Sequence, residues 1–173
     1  MKRKVFFTSD THFSHSRIIQ YCNRPFSSVD EMNETIITNW NNVITPNDTV
    51  FHLGDFGFGS TGNLAEIKYR LNGNIEFVCG SHDKNAKKLF FPYRLMLEIK
   101  IEDHPIVLCH YAMRTWKASY HGSWHLFGHS HGRLAVDNHT LAYDVGVDSN
   151  YYTPVSMDKI VDIMSRKEFK PVG

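Results

Sequence analysis

Five short polar fragments, each following an apolar run of strand length, constrain this chain more than any other feature. They are Asp10-Thr11-His12, Gly54-Asp55, Gly80-Ser81-His82-Asp83, Cys109-His110 and Gly128-His129-Ser130-His131. Ligand crevices in open α/β sheets lie at the carboxyl ends of strands, and every fragment falls there. Aspartate oxygens and imidazole nitrogens suit first-row divalent ions such as Mn, Fe, Zn, Ni or Co. These donors exceed what one ion needs, so the pattern points to a two-metal hydrolytic centre. Taken singly the fragments say less. Asp-x-His arises by chance, Gly-Asp is a common turn, and Gly-His-Ser-His also suits a single structural zinc.

The path between the fragments alternates strand and helix in the first half. Val5 to Ser9, Thr49 to Leu53 and Ile75 to Cys79 read as strands. Ser28-Val29-Asp30-Glu31 has capping-box spacing and opens a helix carrying Met32, Ile36 and Trp40 at helical intervals. A second helix is predicted over Leu64 to Leu71, ended by Asn72-Gly73-Asn74. Strand–helix–strand order implies parallel pairing with right-handed crossovers. Beyond Cys79 the short apolar runs Leu95 to Ile101, Ile106 to Cys109, Trp124 to Phe127, Leu134 to Val136 and Leu141 to Val145 have few intervening helices. They predict a more antiparallel second sheet, closed by a helix from Ser156 to about Ser165.

A length of 173 residues fits one domain over 1–173, and no linker, repeat or low-complexity tract divides it. The formal net charge of +1 supplies no field for long DNA, an acidic partner or a membrane surface. Small nucleotides remain compatible, because bound cations bring their own charge. Cys22, Cys79 and Cys109 are odd in number and lack CxxC spacing, so a reducing cytoplasm is expected rather than a disulfide framework. Asp10 cuts the first apolar run short of a signal sequence, and no stretch reaches membrane-spanning length.

In this order, across residues 10 to 131, the five fragments resemble the calcineurin-like metallophosphoesterases. That family's pattern is Asp-x-His, Gly-Asp, Gly-Asn-His-Asp or Glu, a lone His, then Gly-His-x-His. Asn39-Trp40-Asn41 and His52-Leu53-Gly54-Asp55 further resemble its small, cap-less bacterial and phage-type members. The resemblance implies an α/β fold, a four-layer αββα sandwich with two mixed β-sheets. It implies that Asp10, His12, Asp55 and His131 hold one metal, and that Asp55 bridges to a second held also by His110 and His129. It implies that His82, oriented by Asp83, stabilises or protonates the leaving oxygen while a metal-bridging hydroxide attacks phosphorus.

Ser81 departs from the pattern, standing where the family has a metal-ligating asparagine. A neutral hydroxyl is a poor ligand, so the second ion should bind more weakly, with water as a substitute ligand. Three readings follow: a natural variant with a loose second metal, a change introduced to slow turnover, or a scaffold that has lost catalysis. The intact carboxylates and imidazoles favour a working enzyme.

Other residues offer weaker signals. Arg24 and Arg114 are candidates for gripping phosphate in bidentate fashion, and His15 for touching substrate or supporting His12. Trp116 and Tyr120 lie in an aromatic, basic loop able to rim the pocket or stack on a base, or else to form a small core. His52 reads as interior packing, His104 and His139 as exposed, and Cys79 and Cys109 as small apolar side chains. Asp144, Asp148 and Asn150 follow a late strand without an assigned role. The resulting expectation is a metal-dependent phosphoesterase leaning to nucleotide-type phosphodiesters. A phosphomonoester phosphatase, a weakened scaffold and a purely structural metal site are the alternatives.

Overall fold

Phe6 and Phe7 point to opposite faces of one strand, and each belongs to a different apolar core. In this computed structural model, which describes residues 3–135 and 137–171, the strands are β1 (Val5–Thr8), β2 (Thr49–His52), β3 (Asn74–Phe77), β4 (Met96–Ile101), β5 (His104–Cys109), β6 (Trp124–Phe127), β7 (Ala142–Asp144) and β8 (Val155–Ser156). The helices are α1 (Ser16–Tyr21), α2 (Val29–Val43), α3 (Thr61–Arg70), α4 (Ala86–Leu89) and α5 (Met157–Ser165). None of the described helices is long and apolar enough to cross a membrane.

One sheet runs β3–β2–β1–β8, with β8 alone antiparallel to its neighbour, and the other runs β4–β5–β6–β7. Both sheets are mixed, as expected. The second is less antiparallel than its short connections suggest: β4 and β5 form an antiparallel pair, but β5–β6 and β6–β7 are parallel. Loops carry the chain back here, so the absence of crossover helices says nothing about strand direction. Leu134 is exposed, and neither it nor Ala135 joins a strand, whereas Val136 lies outside the described residues. Helix α1 escapes sequence reading because six residues are too few to show a period and no side chain caps it.

Alternation along the strands distributes the cores. Phe6 and Val50 face α2 and α3, packing on Met32, Ile36, Trp40, Leu64 and Ile67. Phe7 and Leu53 face the other sheet, meeting Ile106, Leu108 and Leu126, with Ile160 and Met164 of α5 closing the side. The outer face of the second sheet is covered by the 111–123 segment. There His125 is fully buried, its Nε2 accepts the Met113 N–H, and Trp116 packs on its ring.

Caps fix the helix starts. Ser28 Oγ accepts the Glu31 N–H, and Glu31 reaches back to the Ser27 N–H, a displaced version of the expected box. Ser60 and Ser156 cap α3 and α5 in the same way. The Asn-Trp-Asn run clamps α2 to the turn before β3. Trp40 Nε1–H donates to the Asn72 carbonyl, and Asn41 Oδ1 accepts the Asn72 N–H.

His52 is a polar residue inside this packing, and it is fully buried. Its Nδ1 accepts the Gly54 N–H, while its Nε2 lies 3.0 Å from Thr11 Oγ1, whose hydroxyl is donated to the Phe56 carbonyl. That network assigns the proton to Nε2 and leaves no room for a second one. Burial accordingly holds the imidazole down, from 6.5 to about 3. The unfolded chain takes up a proton that the fold rejects, so stability is complete above the unfolded value and declines as pH falls below it. Between pH 8 and pH 5 this group alone removes about 2 kcal/mol. Urea unfolding of metal-stripped protein at the two pH values checks this: His52→Gln is less stable at pH 8 but shows a shallower acid slope than wild type.

Candidate metal centre

The carboxyl ends of the two sheets meet, and the loops there take backbone conformations that only a crowded junction holds in place. Asp10, His12, Asp55, His129 and His131 all have positive φ, between 49° and 67°. Left-handed non-glycine residues are uncommon and cluster at functional sites. Each such residue redirects a side chain that simple strand alternation would send elsewhere. Backbone bonds lock the loops together: Asp10 N–H donates to the Gly54 carbonyl, His12 N–H to Asp55 and Val147 N–H to Ser9. Gly128 permits the closest approach. A methyl group there would sit 2.2 Å from Ser9 Oγ and 2.3 Å from Asp10 Oδ2.

Two groups of donors result, each close enough to converge on one ion: Asp10, His12 and His131, and Asp55, His110 and His129. In the first, Asp10 Oδ1 and His12 Nε2 lie 4.0 Å apart. Both atoms are buried without a hydrogen-bond partner among the described residues. Orphaned polar atoms of this kind are costly unless something satisfies them, and a divalent cation fits an aspartate–imidazole set. In the second, His110 Nδ1–H donates to the Leu53 carbonyl at 2.8 Å, which turns Nε2 toward the other donors of the group. That nitrogen lies 3.5 Å from Asp55 Oδ2 and 3.2 Å from His129 Nδ1. Asp55 Oδ2 is also 3.6 Å from His12 Nε2, so this oxygen stands between the two groups.

The two carboxylates experience opposite fields. Burial pushes Asp10 up to about 6, against the pull of His110 and His131. Burial would also raise Asp55, but the hydrogen bond with His110, its charge, and the His82 N–H outweigh that and hold Asp55 below its ordinary range. His12 is driven down to about 2, chiefly by burial, which keeps its ring neutral and its lone pair available.

Supporting residues were harder to read from sequence. Asp148 accepts from His131 Nδ1 at 2.7 Å, which fixes the ring's orientation and places the proton on Nδ1. Asp148 also takes two bonds from the Arg24 guanidinium, at 2.9 and 2.8 Å. Arg24 donates further to the Asp10 and Thr11 carbonyls, and its side chain has no exposed surface. It braces the centre and has no surface with which to grip substrate phosphate, contrary to the expectation. Arg114 lies elsewhere, lining a small hollow with Trp116, Thr140 and Phe169. Trp116 is spent on a bond to the Ser123 carbonyl and its packing on His125.

Asp83 also departs from its expected role. Its oxygens accept the N–H groups of Gly80, Asp55 and Phe56, which shapes the loop that presents Asp55. His82 is exposed beside the first group, its ring centroid 5.9 Å from that of His12. Ser81 is exposed, and its hydroxyl donates to Asp55 Oδ2 at 3.2 Å, which brings it to the second group. His15 Nδ1 lies 3.4 Å from His12 Nδ1, the supporting position. Cys22 forms a further cluster with His131 and Asp148. Cys79 is inert, its thiol pushed up to about 11 by burial. His104 is half-buried, stacked on Trp124. The only advance signal for Asp148 was its position after a late strand, and nothing local pairs it with Arg24.

Residues 4–146 match the model of the calcineurin-like phosphoesterase superfamily domain. The chain is 37% identical over 171 residues to the uncharacterized protein MJ1445 of Methanocaldococcus jannaschii, covering 95% of this chain and 93% of that protein. It is 25% identical over 196 aligned positions to the gene 66 protein of Mycobacterium phage L5, covering 93% and 94% of the two. Among solved structures, a protein of unknown function from Aquifex aeolicus superposes with a TM-score of 0.69 at 25% identity, covering 94% of this chain and 100% of that one.

Removing the carboxylate charge behind His131 is expected to weaken metal binding without deleting any direct ligand. Asp148→Asn should lower the affinity of the first donor group by roughly 10–100-fold. Calorimetric titration with Mn²⁺ checks this, with a thermal melt of the metal-stripped variant to separate lost affinity from the lower stability of an unpaired Arg24.

Proposed function

The chain belongs to the calcineurin-like phosphoesterase superfamily, and we propose that it is a hydrolase working on phosphate esters with two divalent metal ions. The observation that carries the proposal is the sharing of Asp55 between two convergent donor groups. When bound, such a pair of cations neutralises phosphoryl charge and acidifies a coordinated water. Asp10, His12, Asp55 and His131 hold the first ion, and Asp55, His110 and His129 the second. His82, exposed beside the donors, gives a proton or hydrogen bond to the leaving oxygen. Asp83 acts through the Asp55 loop and does not act on substrate. The metal is Mn, Fe, Zn, Ni or Co on donor chemistry alone.

Nucleotide-type phosphodiesters are the favoured substrates, with phosphomonoesters second. Ser81, His82 and His129 are exposed at the site, which leaves the donors accessible to a diester. The near-neutral charge disfavours tracking along long DNA. Three free thiols suit a reducing cytoplasm. A second reading, a binding scaffold with weak turnover, draws on Ser81. Its hydroxyl is spent on Asp55 instead of supplying an amide oxygen to the second ion.

Hydrolysis of bis-p-nitrophenyl phosphate and p-nitrophenyl phosphate by Mn-loaded protein tests these readings, with Ser81→Asn alongside. Turnover of the diester in preference to the monoester is expected, rising in Ser81→Asn as the second ion binds more tightly. His82→Ala should lower kcat by about 10²–10⁴-fold with metal content unchanged. Silence of both wild type and Ser81→Asn across all five metals would leave the scaffold reading standing.

A further inference from the structure

We propose that the cavity beside the first donor group is a nucleotide subsite, in which Tyr21 carries the base and Arg17 and Arg133 hold a second phosphoryl group. The inference rests on the phosphoesterase reading, because His12, His131 and His82 form one end of the cavity. Its volume is about 430 Å³, within the range of small-molecule pockets. A site for phosphate alone needs no apolar wall, yet Ile18, Tyr21 and Phe58 supply one here.

Tyr21 ends α1 and is 58% exposed, its ring T-shaped to that of His15 with the centroids 6.3 Å apart. An exposed tyrosine face at the mouth of a phosphate site is a stacking platform for a planar base. Phe58 is already covered by His15 at a centroid distance of 3.8 Å, so it forms fixed wall. The Arg133 guanidinium is anchored beside Tyr21 by donating to its carbonyl, which spends part of a five-donor fork. Arg17 forms no hydrogen bond or ion pair among the described residues, and none joins Arg133 to a carboxylate. Arg24, Arg70 and Arg166 are each paired with an acidic side chain, while Arg94 and Arg114, also without a carboxylate partner among the described residues, lie away from the cavity. No aspartate or glutamate lines the cavity. Two uncompensated guanidinium groups beyond the metal donors call for an anion other than the one held at the centre. A nucleoside bearing two phosphoryl groups satisfies the apolar wall, the open ring and both arginines together.

Calorimetric titration of Mn-loaded protein with ADP, AMP, ribose 5-phosphate and pyrophosphate tests the assignment, with circular dichroism confirming that each variant is folded. ADP is expected to bind at least tenfold more tightly than AMP or pyrophosphate, and AMP more tightly than ribose 5-phosphate. The double variant Arg17→Gln/Arg133→Gln should bring ADP to the AMP level, a loss of roughly 10–100-fold. Tyr21→Ala should weaken ADP and AMP by about tenfold and leave pyrophosphate unchanged. ADP binding no tighter than pyrophosphate, an ADP preference that survives the double variant, or tighter binding of a single-stranded oligonucleotide overturns the proposal. Wild-type turnover of bis-p-nitrophenyl phosphate separates the two readings. Turnover without an ADP preference overturns the subsite alone, whereas the ADP preference, with wild type and Ser81→Asn both silent on the diester and the monoester across all five metals, upholds the subsite and removes the phosphoesterase reading.

Discussion

The buried Arg24 guanidinium is the constraint on which the centre depends. It binds the carbonyls of Asp10 and Thr11 on one loop and both oxygens of Asp148 on another. A guanidinium removed from water costs several kcal/mol unless its partners are all in place. Each partner is therefore held as firmly as the arginine itself. The two carbonyls belong to the loop that carries Asp10 and His12, and Asp148 orients His131. One desolvated cation thus fixes the whole first donor group. It also contributes positive charge that Asp148 offsets, so the candidate donors are not left facing an unpaired cation.

Five donor residues sit in the left-handed region, where a non-glycine residue costs of order 1–3 kcal/mol. That conformation persists because the surrounding loops over-determine it. Backbone bonds from Asp10, His12 and Val147, and the Asp83 oxygens on three N–H groups, leave no alternative path. The same crowding accounts for the glycines. At Gly54, where φ is +94°, a methyl group would lie 2.4 Å from the Gly80 nitrogen. Orphaned atoms on Asp10 and His12 complete the picture of a site preorganised for a cation.

Much of the architecture follows from local signals. Alternation in β1 and β2 assigns one face to the helices and the other to the second sheet. Serine caps start α2, α3 and α5. The outer face of the second sheet is instead covered by the 111–123 loop, whose Trp116 packs on His125 of β6, which periodicity does not reveal. Strand direction in that sheet escaped for the same reason, since a loop return leaves no helical period to read.

The candidate donors are legible in the sequence, because Asp-x-His, Gly-Asp, a lone His and Gly-His-x-His each follow a strand whose apolar pattern is local. The sequence also exposed Ser81 as the departure from the family pattern, since identity at one position needs no coordinates. The contacts of Arg24, Asp83 and Asp148 emerge from the folded arrangement. Arg24 and Asp148 are 124 positions apart, and no local pattern records a contact of that range. Asp83 adjoins His82 in sequence yet serves the loop after β2, because a carboxylate bonds whichever N–H groups the fold brings near. The union of Arg17, Tyr21 and Arg133 around one cavity has the same origin: α1 and the loop after β6 meet only because two sheets are stacked with their carboxyl ends together.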